Sequence, residues 1–195
     1  MTRVLGPVGD VHRARDLAQT LLAGLPERWR HTIGVARRAE EVRGTVLSAA
    51  DGEVLLIAAW LHDIGYAPAL HQTGFHPLDG ARHLAAAGWP ARIAGLVAHH
   101  SAARCVAEAR GLAEEMQTFP DEQSPVSDAL LYADQTVGPN GVTMNVEQRV
   151  ADMLDRHGPD SPHAAAHATR SPVMRAAVQR VQRRLATMRH PPSAA

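Results

Sequence analysis

The chain has 195 residues, enough for one domain with a sizeable core, and carries no formal net charge with histidine neutral. That balance excludes a general electrostatic pull toward nucleic-acid polymers or anionic membranes. A single cysteine, Cys105, excludes an internal disulfide framework, and with no secretory signal pattern and no apolar run of ~18 residues the expectation is a soluble cytoplasmic protein without a membrane partner.

Residues 1–9 read as a loose lead-in. Asp10 then caps a first helix, to about Ala23, whose inner stripe is Val11, Ala14, Leu17, Ala18, Leu21 and Leu22. After Gly24, Pro26 suits the first position of a second helix and Glu27 its positive end. This helix runs to about Val42 and sets His31 on the same stripe as Val35 and Ala39.

The next segment dominates the chain. From Val54 to Leu61 every residue is apolar, and the run leads directly into His62, Asp63, Ile64 and Gly65. A helix apolar all round is a buried one. Gly65 suits a left-handed stop, so His62 and Asp63 fall in the last turn, inside the protein. A buried carboxylate needs a positive partner. Imidazole beside carboxylate is ordinary ligand chemistry for a divalent transition metal.

A loop from Ala67 to Phe75 precedes a short helix opened by His76 and Pro77 and ended at Gly88. The following helix, from near Pro90, spaces Ile93, Leu96, Val97 and His100 on one apolar stripe, with His99 at its flank. Residues 102–124 are irregular and acidic. Ser124-Pro125 starts a helix that carries Leu130, Leu131 and Asp134 on one side, and Asn145 caps another that ends at Gly158-Pro159. The final helix is expected from Ser171-Pro172, with arginines on its outer faces, and residues 190–195 are expected to fray. No strand hairpin and no repeat is evident. The fold class is all-α: one helical bundle around a buried central helix. Its parts are an N-terminal helix (1–25), a metal-binding core (26–140) and C-terminal helices (141–195).

Four metal-ligand residues therefore lie on inward helix faces: His31, His62, Asp63 and Asp134. This H…HD…D arrangement, with Leu61-His62-Asp63-Ile64-Gly65 and Ala133-Asp134, resembles the HD-domain superfamily of metal-dependent phosphohydrolases. His76-Pro77-Leu78-Asp79-Gly80-Ala81 and Val97-Ala98-His99-His100-Ser101 are similar to the extra histidine motifs of branches that hold two metals. The resemblance implies a divalent metal cofactor, one or two ions of Mn, Fe, Co, Mg or Ni. It makes Asp63 the bridging ligand, with His31, His62 and Asp134 completing one site and His76 and His100 the other. Asp63 and His62 become the catalytic pair. Two departures stand out: Tyr66 follows the HDIG motif where some branches have lysine, and no lysine occurs anywhere, since all 20 basic residues are arginine. The Gly-Tyr-Pro element of cyclic-dinucleotide phosphodiesterases is absent too.

For substrate phosphate the sequence offers Arg104, Tyr66 and His99, with Arg82 and Arg30 behind them and His71 as a proton donor. Glu27 stands where one branch has a third-metal ligand, but reads better as a helix-terminal carboxylate. His83 is a possible support to His76, while His12, His157, His163, His167 and His190 read as surface or packing residues. The implied activity is a phosphomonoesterase or phosphodiesterase on a small phosphorylated metabolite, with a nucleotide the leading substrate. Two alternatives share the ligands: a di-iron oxygenase of the HD type, and a non-enzymatic, metal-stabilised regulatory domain.

Overall fold

The structure, a computed structural model, describes residues 7–189. The frayed end expected over 190–195, with His190, lies outside the described residues, as do residues 1–6 of the lead-in. The chain forms α1 (Pro7–Leu21), α2 (Pro26–Val42), α3 (Ala49–Leu61), α4 (His76–Ala86), α5 (Ala91–His99) and α6 (Ala103–Ala109). There follow α7 (Ala113–Met116), α8 (Pro125–Gln135), α9 (Val146–His157), α10 (Pro162–Ala165) and α11 (His167–Arg189). Among the described residues there is no strand, only an isolated bridge between Val137 and Thr143. The fold is all-α. None of these helices is long and apolar enough to cross a membrane.

The central helix follows from its composition. The Ser48 side chain accepts from the Asp51 amide and starts α3. Because α3 is apolar on every face, it packs on both sides. Leu55, Leu56, Ala58 and Ala59 face a core shared with α2, α8 and α11 through Val35, Leu130, Met174 and Val178. Ile57 and Leu61 face a second core with α1, α4 and α5 through Ala18, Leu78, Leu84 and Val97. Each fully buried leucine contributes about 1.5–3 kcal/mol relative to exposure. The end of α3, carrying the His-Asp pair, is thereby fixed between the two cores.

Four local expectations need correction. The first helix starts at Pro7, so Asp10 lies in its first turn rather than capping it. Helix α5 stops at His99, and His100 has an extended ψ of 152°. The last helix begins at His167 and runs through Pro172, because burial of Arg170 and Ser171 against the core holds the segment helical despite the missing amide.

Gly65 is the fourth. It has no left-handed backbone. A methyl group there would collide with the His76 carbonyl oxygen and come within 2.7 Å of the Gly80 amide. The glycine is required by the close approach of α4, which brings His76 to the His-Asp pair.

Candidate metal centre

His62 follows the last residue of α3 and is wholly buried. Its Nδ1 lies 2.8 Å from the Ala59 carbonyl oxygen. A carbonyl only accepts, so Nδ1 carries the proton and Nε2 holds the lone pair. That Nε2 is buried without a hydrogen-bond partner. The same brace recurs twice. His100 Nδ1 donates to the Val97 carbonyl at 2.7 Å, and His31 Nδ1 to the Gly138 carbonyl at 3.1 Å. Three imidazoles from different parts of the chain are thus oriented with Nε2 inward, the usual outer bracing of metal-ligating histidines.

Asp63 lies among them with its two oxygens divided. Oδ2 is 3.5 Å from His62 Nε2 and 3.8 Å from His31 Nε2. Oδ1 is 3.3 Å from His76 Nε2 and 3.8 Å from His100 Nε2. Asp134, from α8, places Oδ1 3.0 Å from His31 Nε2 and 4.0 Å from His62 Nε2. Its Oδ2 accepts from the Ser101 hydroxyl and from Gln135 Nε2. Two groups of ligand atoms are close enough to share an ion: His31, His62 and Asp63, and Asp63, His76 and His100.

These residues fit divalent metal. The unpartnered His62 Nε2 lone pair faces the Asp63 carboxylate at 3.5 Å and repels it unless a cation lies between them. Both carboxylates are almost fully buried, at 3% and 4% exposure, a costly arrangement without positive charge. Burial works against ionisation of Asp63, but His62, His76 and Arg28 outweigh it and hold its carboxyl well below the usual range. Burial also lowers His76, to about 4, against the raising effect of Asp63. Near pH 7 the His76 ring is therefore neutral.

A cleft opens over these residues. Arg28, Arg149, Arg156 and Arg170 line it, together with Tyr66, Phe75, His157 and His163. Arg28 Nη1 donates to Asp63 Oδ2 at 3.1 Å, and its guanidinium lies 4.2 Å from the centre of the Tyr66 ring. Tyr66 in turn stacks on His76 with ring centres 3.9 Å apart. Burial pushes the Tyr66 hydroxyl up to about 12, so it keeps its proton at neutral pH.

Of the sequence-derived candidates, His31, His62, Asp63, His76, His100 and Asp134 come together, and Tyr66 joins them at the cavity wall. His99 and Arg104 do not. The His99 Nε2 donates to the Phe119 carbonyl, and both residues line a separate cleft with Asp128 and Arg180. The left-handed backbone of Ser101 and Ala102 turns the chain here, sending neighbouring side chains to opposite sides. Arg30 reaches Asn140 at the surface, and Glu27 and His71 are exposed. His83 lines a groove against α1. His157 and His163, expected at the surface or in packing, stack at 3.9 Å on the cavity wall instead.

Arg28, Ser101, Gln135, Arg149, Arg156 and Arg170 escaped the sequence reading. Only Arg28 had a usable signal. It precedes His31 by three positions on α2 and so shares its face.

A family model described as HD domain matches residues 28–157. No curated protein and no solved structure matches the chain. The matched span covers well over half of the sequence and encloses all six candidate ligands. With the buried His/Asp groups in place, the chain belongs to the HD-domain family, part of a superfamily of metal-dependent hydrolases.

Proposed function

We propose that this protein is a two-metal phosphohydrolase acting on a small phosphorylated metabolite, with a nucleotide the leading candidate. The observation that carries the reading is the division of the Asp63 oxygens between two histidine groups, beneath a cavity lined by four guanidinium groups. His31, His62, Asp63 and Asp134 would hold one cation, and Asp63, His76 and His100 the other. When bound, such a pair supplies a water nucleophile of lowered pKa and neutralises charge on a transferring phosphoryl group.

The remaining work belongs to the chain. The Ala59, Val97 and Gly138 carbonyls hold three imidazoles in the tautomer that leaves Nε2 free. The hydrogen bond from Gln135 orients Asp134. Arg28 offers a fixed planar donor beside the reacting position, suited to phosphoryl oxygens. The Tyr66 hydroxyl, which keeps its proton, donates to a phosphoryl or leaving-group oxygen. Phe75 narrows the wall, and the parallel His157–His163 pair offers a flat face to the rest of the substrate.

Four guanidinium groups favour an anionic, phosphorylated substrate over a neutral polyol. The test is metal content by mass spectrometry on protein purified without chelator, run beside phosphate release from a nucleotide panel with Mn²⁺, Co²⁺, Fe²⁺ or Mg²⁺. About two metals per chain, with turnover abolished in Asp63→Ala, supports the reading. Two irons with oxygen uptake and no phosphate release replaces it with the oxygenase. Bound metal with neither activity points to the regulatory domain, and absence of metal sinks the mechanism.

A further inference from the structure

The C-terminal helices bring more positive charge to the cavity than the metal ligands account for. Of the four cavity guanidinium groups, Arg28 is paired with Asp63 and Arg156 with Asp152. Arg170, from α11, is only 6% exposed, yet among the described residues no carboxylate lies within ion-pair distance of it. Its Nε donates to the Ser101 carbonyl at 2.8 Å, and its Nη1 meets only the Met153 sulfur at 3.8 Å. Arg149, from α9, gives Nη1 to Asp152 at 3.0 Å and holds Nη2 4.0 Å from Asp134 Oδ1. Its Nε is buried without a partner.

A buried cation without a counter-charge destabilises a protein, and an apolar residue of similar size is commonly better tolerated. Arg170 is such a group, and Arg149 on the same wall shares its close carboxylate, Asp152, with Arg156, so the wall carries surplus positive charge that an anion would complete. Resting on the two-metal reading, the charge balance says which anion. The phosphoryl group undergoing transfer is a dianion already facing two divalent cations and Arg28. Arg149 and Arg170 add positive charge beyond what that one group offsets. We infer that Arg149 and Arg170 form a second anion subsite, which holds a phosphoryl group that is not transferred. The substrate is then a small molecule carrying two phosphoryl groups, and the planar forks of the two arginines suit their oxygens.

The experiment measures binding rather than turnover. Affinities for inorganic pyrophosphate and orthophosphate are determined calorimetrically on the full chain, metal-free in chelator and Mn²⁺-loaded, for the native protein, R149Q and R170M. The expected result is pyrophosphate binding about tenfold or more weaker in each variant, with orthophosphate on the Mn²⁺-loaded protein changed less than about threefold. A nucleoside 3′,5′-bisphosphate run in parallel tells separated phosphoryl groups from adjacent ones. Equal losses for both anions, or native pyrophosphate affinity in R149Q, would overturn the subsite. So would a lower melting temperature in R170M with pyrophosphate affinity retained, because Arg170 would then merely tie down the Ser101 turn. If R170M does not fold, R149Q decides by the same comparison. Failure to load metal or to release phosphate from any substrate would count against the hydrolase, while the metal-free measurements still report on the subsite.

Discussion

The two histidine groups that share Asp63 are built on different supports. His31, His62 and Asp134 come from α2, the end of α3 and α8, and all are at most 4% exposed. Ordinary helix packing around two cores fixes them. His76 and His100 rest on special backbone. His76 is placed by the contact that only Gly65 permits, and His100 by a turn in which Ser101 and Ala102 have φ of 55° and 53°. Non-glycine residues in that region each cost about 1–3 kcal/mol and persist where surrounding contacts hold them. Here the contacts include the Ser101 hydroxyl on Asp134 and Arg170 on the Ser101 carbonyl. The first group is thus a product of the bundle, and the second is an addition that the bundle tolerates. The second should be the easier to lose.

The largest effect belongs to the residue both groups share. Asp63→Ala should empty both positions and lower phosphate release by about a thousandfold or more, checked by metal analysis and turnover together. Retention of one metal would mean that the groups are independent. Next, His62→Ala should remove metal altogether, whereas His76→Ala should leave about one ion per chain and cut turnover about a hundredfold. Equal metal loss in the two variants would erase the asymmetry.

Gly65→Ala attacks the special backbone alone. Its methyl group pushes α4 away from the His-Asp turn, at a cost of about 1–3 kcal/mol, and should release the second ion before the first in a chelator titration. Unchanged occupancy would show that α4 is not what positions His76.

The smallest effect is on acid stability. His76 is held by burial at about 4, while an unfolded-chain histidine titrates near ~6.5. Between those values the unfolded chain binds the extra proton, so the metal-free protein loses stability as pH falls through that window. Thermal melts of His76→Gln should show a flatter dependence there than the native protein. Parallel curves would mean that the histidine is already charged when folded.

The parts of this molecule differ in how plainly they are written. Ser48, Ser124 and Asn145 each cap the helix expected after them, because the cap, amide and first turn are close in sequence. His31 and Asp134 stand on apolar stripes, and polar ligands at such positions are conspicuous. His100 was selected by a stripe that ends one residue too early, yet its ring still faces inward because the turn after His99 carries it there. Helix ends set by remote contacts carry no local signal. Nothing near Gly65 in sequence announces that α4 will touch it, and nothing near Pro172 announces that burial will keep its segment helical.

The substrate wall was least legible. Arg149, Arg156 and Arg170 look like any solvent-facing arginines on amphipathic helices, whereas Arg104 stands out only because it follows a histidine pair. Periodicity and capping depend on neighbours a few residues away, so the all-α class, the buried central helix and the residue types that can hold metal are legible from local pattern. Which arginines face the cavity depends on how α9 and α11 lie against α8 and the Ser101 turn. That is decided by distances between elements far apart in the chain, and only the packed tertiary structure contains them.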